Sequence, residues 1–226
     1  MAQKVEICPT ITAVSKAEYT KQLDTLVKFA GRIHFDVSDG TLAPRELLGI
    51  GNMRWDKKIR ADIHVMSRHP HAEVAIATEL KPHLVILHAE AATNLAKAAE
   101  ELHAHGIKAG LALLPSSHVA NYRDLIFTHF DHVMIFSGNL GYQGGASADL
   151  SLLPKAAELR EIKPNLEIGW DGGINDTNAI RLAQAGVSVL NVGSHIARAK
   201  SPKAAYAKLL KSITDAGTRD APKTHS

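Results

Sequence analysis

Short runs of β-branched and other apolar residues recur along the chain: "KVEICPTI", "RIHFDV", "IRADIHVM", "HLVILHAEA", "KAGLALL", "DHVMIF", "LEIGWDGG" and "VSVLNVG". Runs of this length and composition read as strands. Between most of them, apolar residues fall at three- and four-residue intervals, as in "AEYTKQLDTLVKFA", "TNLAKAAEELHAHG", "VANYRDLIFTHF", "LSLLPKAAELREI" and "NDTNAIRLAQAG". That is the period of an amphipathic helix. Gly106 and Gly186 stand where helix C-caps belong.

Strands that alternate with helices predict an α/β fold with a parallel sheet, because a parallel strand is reached only by a crossover connection. A doubly wound open sheet uses the same alternation, but eight units are the number that closes a (β/α)8 TIM barrel of about 250 residues, eight parallel strands with surrounding helices. The weakest unit is "GTLAPRELLGIGNMRWDKK", where Pro44 and three glycines predict an irregular loop in place of a helix. The segment "KAAYAKLLKSI" predicts a last helix, and the tail from about 216 is expected to fray. No low-complexity linker interrupts the chain, so residues 1–226 are expected to form one domain.

Composition narrows the function classes. The chain has 226 residues, 45% hydrophobic and 22% charged, which is ample for a full core. Its formal net charge is +3, without a block of consecutive Lys/Arg of the kind that binds nucleic acid, and this mild balance suits an anionic small molecule. Cys8 is the one cysteine, so no intrachain disulfide forms. There is no apolar run of about 18 residues to span a membrane, and the start "MAQKVEICPT" lacks a signal-peptide core. The expectation is a cytoplasmic protein with no nucleic-acid or membrane partner.

In such a barrel the active site lies at the C-terminal ends of the strands. By the two-residue strand period His34 and Asp36 share one face of the second strand; His64 falls late in the third, and Asp171 ends the seventh. A lone histidine in a strand is more often a hydrogen-bonded core residue. Two imidazoles and two carboxylates at strand ends instead make a candidate site for a divalent metal, with nitrogen and oxygen ligands suited to zinc, iron, manganese or cobalt. Gly172 and Gly173 after strand seven, with Gly193 and Ser194 after strand eight, stand where barrels of this class bind phosphate through loop amides. The glycine-rich stretch "SGNLGYQGGAS" reads as a lid.

Taken in order, "HFDVSDG", "DIHVM", "LHAEA", "WDGGI" and "NVGS" resemble the ribulose-phosphate 3-epimerase family, from "ICPTI" to about residue 198. The resemblance implies a metal-dependent isomerase that inverts C3 of D-ribulose 5-phosphate to give D-xylulose 5-phosphate. It implies His34, Asp36, His64 and Asp171 as metal ligands, with Asp36 and Asp171 also the acid/base pair. It also implies Thr10 and His64 near the sugar, Gly144 and Gly145 in the mobile loop, Gly172, Gly173, Gly193 and Ser194 on the phosphate, and a homo-oligomer. His88 and Glu90 match family residues that line or support the pocket. The remaining histidines, among them His69, His83, His103, His105, His118 and His129, are expected to be solvated surface.

Some positions depart from the family's pattern: Ser38 where a methionine is usual, "NLGYQGG" where the lid commonly reads "NPGFGGQ", and "LLPSS" after strand five. These changes in 138–147 and 114–117 bear on the choice of sugar. An allulose-6-phosphate 3-epimerase and a non-catalytic sugar-phosphate-binding barrel are the alternatives. The related phosphate lyases carry a lysine two residues after the strand-three aspartate, where this chain has His64 after Asp62.

Overall fold

The computed structural model describes residues 5–219. Its strands are β1 (Glu6–Ile11), β2 (Arg32–Ser38), β3 (Arg60–Met66), β4 (Leu84–His88), β5 (Lys108–Leu113), β6 (His132–Phe136), β7 (Glu167–Asp171) and β8 (Val189–Val192). Each pairs in parallel with the next, and β8 pairs with β1, so the sheet closes into the expected (β/α)8 barrel. Around it lie α1 (Lys16–Leu26), α2 (His71–Leu80), α3 (Leu95–Ala104), α4 (Arg123–His129), α5 (Pro154–Ile162), α6 (Ala179–Gln184), a four-residue α7 (Ser194–Ala197) and α8 (Pro202–Arg219). The β2–β3 connection holds a single 3-10 turn, Ile50–Asn52, in line with its Pro- and Gly-rich sequence. α8 continues through Arg219; residues 220–226, the rest of the tail expected to fray, lie outside the described residues.

Local chemistry sets several boundaries. Ser15 caps α1 by accepting from the Glu18 amide, and Asn94 caps α3 by accepting from the Lys97 amide. Gly106 and Gly186 follow α3 and α6 at φ of +74° and +94°, in the left-handed region that ends helices. No described helix is long and apolar enough to cross a membrane.

The strand period separates two environments. Ile33, Phe35 and Val37 of β2 join the large core between sheet and helices. Leu84, Ile86, Ala112, Met134 and Phe136 form a second cluster inside the barrel. Arg32, His34 and Asp36, alternating with the first set, also point inward. Arg32, at the N-terminal end and 1% exposed, bonds Asp62, Glu167 and Glu6. At the opposite end, register places Asp36 beside His64 and Asp171 beside Asn191. One end of the interior is thus an ionic plug, and the other brings together two histidines and two carboxylates.

Candidate active site

His34, Asp36, His64 and Asp171 each offer a ligand atom, and the four atoms lie within 4.8 Å of one another. His34 Nε2 is 3.3 Å from Asp36 Oδ1 and 3.7 Å from Asp171 Oδ2; His64 Nδ1 is 3.0 Å and 3.9 Å from the same oxygens. Both ring nitrogens of His34 are buried without a hydrogen-bond partner. A wholly buried imidazole facing two carboxylates is costly unless something between them accepts its lone pair. Spacing, orphaned nitrogens and a mixed N/O donor set fit a divalent cation. The four residues brought together are those expected from the strand ends.

The two carboxylates differ in environment. Burial works to raise Asp36, but the imidazoles of His34 and His64 outweigh it and hold this carboxyl well below the usual range. Thr12 donates to its other oxygen, Oδ2, at 2.6 Å. Burial pushes Asp171 up to about 7, opposed by His34 and reinforced by the charge of Asp36. Burial lowers His34, yet Asp36 and Asp171 prevail and raise it; for His64, burial prevails and its pKa falls. Among these side chains alone, one carboxylate is kept ionised and the other is poised to carry a proton near neutrality.

A lid formed by the β6–α5 connection covers this cluster. Gln143 donates to the Thr10 carbonyl at 2.9 Å, and Arg198 donates to the Gln143 carbonyl at 3.2 Å. The lid's two ends pass close over the glycines after β7. A Cβ on Gly172 would lie 2.3 Å from Gly138 N, and one on Gly173 would lie 2.0 Å from Ala148 N. Gly144, at φ +82°, packs against Ser194 in the same way. Beneath the lid, Thr10, Asp36, Asp171, Gly172, Gly173, Gly144, Gly193 and Ser194 line a cavity of about 40 Å³. That is room for about three waters.

The ribulose-phosphate 3 epimerase family profile matches residues 6–197. The chain belongs to the ribulose-phosphate 3-epimerase family. It is 27% identical over 208 residues to a ribulose-phosphate 3-epimerase of Helicobacter pylori, covering 89% of this chain and 94% of that one. It is 30% identical over 210 residues to one of Mycobacterium leprae, covering 90% and 92%. A crystal structure of 3-hexulose-6-phosphate synthase superposes with a TM-score of 0.71 over 92% of this chain and all of that one; at 18% identity this likeness is of fold alone.

Within this family member, two residues expected at the substrate are absent from the cavity lining: His64, which is fully buried behind it, and Gly145, which faces an outer groove with Pro44 and Leu114. Sequence reading missed Thr12, Gln143 and Asn191. Asn191 is buried beside Asp171 with Oδ1 unpartnered, and an asparagine two residues before Gly193 in an apolar strand was its available signal. The long-range partners of Thr12 and Gln143 leave no such trace. Four of the histidines expected on the surface are not: His83, with Nε2 enclosed, His129, beside Glu100, and His195, beside Asp176, are half-buried, and His132 of β6 is fully buried against Glu167 because its strand position turns it into the barrel. His83 lies between Pro82 and β4, where the chain enters the barrel.

Proposed function

We infer that this protein is a metal-dependent epimerase that inverts C3 of a ketose phosphate, taking D-ribulose 5-phosphate to D-xylulose 5-phosphate. The observation that carries the reading is a pair of inward-facing carboxylates, Asp36 and Asp171, held with His34 and His64 in one cluster whose ligand atoms lie within 4.8 Å of one another. Inversion at a carbon next to a ketone requires a base on one face of C3 and an acid on the other. Asp36 is the base in one direction and Asp171 the acid, with the roles exchanged for the reverse substrate.

Thr12 supports Asp36 by fixing its rotation through Oδ2, which leaves Oδ1 toward the imidazoles. Bound among His34, Asp36, His64 and Asp171, a divalent cation (zinc, iron, manganese or cobalt) supplies Lewis-acid stabilisation of the negative charge that develops on the sugar oxygens. Amides at Gly172, Gly173 and Gly193, with the Ser194 hydroxyl, take the phosphate; Thr10 and His64 border the sugar. Gly144 and Gly145 give the lid its left-handed turns at φ of +82° and +86°. The reading carries with it a cytoplasmic setting and a homo-oligomer, the latter checked by solution mass.

The test is exchange of the C3 proton of D-ribulose 5-phosphate with deuterated water, followed by NMR before and after chelation, with allulose 6-phosphate in parallel. Exchange with the pentose that chelation abolishes and added metal restores is expected. Faster exchange with allulose 6-phosphate would move the assignment to that sugar. No exchange with either, in a metal-loaded sample, would reduce the protein to a binding barrel.

A further inference from the structure

A line of hydrogen bonds leaves the metal-binding cluster on the far side of His64. Nε2 of His64 lies 2.8 Å from Nε2 of His88, and Nδ1 of His88 lies 3.2 Å from Oε2 of Glu90. The other oxygen of Glu90 accepts from the Ser117 hydroxyl and, at 3.3 Å, from the Leu114 amide. Lys155, reaching in from α5, donates to the carbonyls of Leu114, Pro115 and Ser117 at 2.7, 3.1 and 2.8 Å, which holds the loop carrying Ser117. Both imidazoles are fully buried, and the Phe136 ring packs on each, with centroids 5.8 and 6.0 Å away. Neither His88 nor Glu90 lines the cavity under the lid.

The direction of these bonds follows from what each group is able to do. A carboxylate only accepts, so His88 places its proton on Nδ1, toward Glu90, and a neutral ring then has a bare lone pair on Nε2. Two imidazole nitrogens 2.8 Å apart need one proton between them, so His64 carries its proton on Nε2. That tautomer leaves His64 Nδ1 as a lone pair 3.0 Å from Asp36 Oδ1, in place of the hydrogen bond by which a proton on Nδ1 would help hold Asp36 ionised. Two lone pairs at that distance repel unless a cation lies between them.

We propose that Glu90 is a positioning residue which, acting through His88, holds His64 in the tautomer whose Nδ1 is free to bind the divalent metal. This rests on the metal-dependent reading above. It also gives a structural role to the 114–117 segment, which departs from the family's pattern, since Ser117 and the loop under Lys155 orient Glu90. Histidine ligands are commonly steadied by a partner on the second ring nitrogen, and loss of such a partner lowers metal affinity about 10- to 100-fold. Here the partner is itself a histidine, so its own orientation must be set from one step further out.

The experiment measures zinc affinity of the full chain, stripped of metal, by competition with a chromophoric chelator, together with ¹⁵N NMR of the histidine-labelled metal-free protein. Glu90→Leu is expected to lose about 10- to 100-fold in zinc affinity and to show His64 as a mixture of tautomers. Glu90→Gln, which keeps an acceptor for His88, is expected to retain most of the affinity. Zinc affinity of Glu90→Leu within about twofold of the parent would overturn the proposal. So would a metal-free parent protein whose His64 carries its proton on Nδ1, a reading that needs no variant and decides the matter even if Glu90→Leu does not fold. Neither readout involves a sugar, so a failure of the C3-exchange assay with the expected zinc results would sink the substrate assignment alone.

Discussion

Arg32 is the side chain whose removal tests the account of the barrel's closed end. It is 1% exposed, and it donates from Nε to Asp62 at 2.7 Å, from Nη1 and Nη2 to Glu167 at 2.9 and 2.8 Å, and from Nη1 to Glu6 at 3.2 Å. Asp62 is also 1% exposed, whereas the side chains of Glu167 and Glu6 keep 24% and 30% of their surface in solvent. In Arg32→Met the apolar stem is kept and the guanidinium is lost. Asp62 is then left as a buried carboxylate without its cation, while Glu167 keeps His132 at 2.9 Å. Stranding one partner of a buried pair costs about 3–5 kcal/mol, a large part of the 5–15 kcal/mol that holds a typical domain together. With a slope of about 3 kcal/mol per molar urea, the unfolding midpoint falls by about 1–1.7 M. Adding Asp62→Leu removes the stranded charge as well, and the double variant recovers much of the loss, because replacing both partners by apolar groups is often neutral. Urea unfolding followed by circular dichroism checks both. A single variant that loses less than about 1 kcal/mol, or a double variant no more stable than the single, would refute the coupling.

Other consequences lie nearer the chemistry. Asp36→Asn and Asp171→Asn each remove a proton carrier and are expected to cut C3 exchange at least 10²- to 10⁴-fold; His103→Ala, an exposed residue paired with Asp131 at 2.8 Å, leaves the rate unchanged, and near-native exchange in either aspartate variant would end the two-base assignment. Gly172→Ala places a Cβ 2.3 Å from Gly138 N at a φ of +112°, so the lid is displaced and exchange falls. Gly106→Ala, left-handed but facing open space, costs only the backbone strain of about 1–2 kcal/mol, which a thermal melt separates from a lid effect. Burial acts to raise Glu167, but Arg32 and His132 outweigh it and hold it below the ordinary 4.5. Its stabilisation is therefore complete above the unfolded value and drains away as pH falls from there toward the folded one; Glu167→Gln is expected to be less stable at pH 7 and to lose less stability on acidification, as read by urea midpoints across that range.

What the chain determines by itself is whatever repeats at short range. The two-residue period of a strand turned His34 and Asp36 to one side; the alternation of strand and helix runs required a parallel sheet, because parallel strands admit only crossover connections, and the count of eight pointed to a closed barrel over an open one. Those rules act over a few residues and survive in the sequence as spacing. The ordered motifs, read as a family resemblance, added the ligand set and its chemistry. Tertiary structure decided what depends on closure. Register across the barrel sets Asp36 beside His64 and Asp171 beside Asn191; Arg32 meets Glu167 from 135 residues away. Gln143 of the lid finds the Thr10 carbonyl, and Glu90 reaches His64 of the cluster only through the imidazole of His88 on the neighbouring strand. None of these pairings has a local period to announce it, because each depends on where distant strands lie once the barrel is shut.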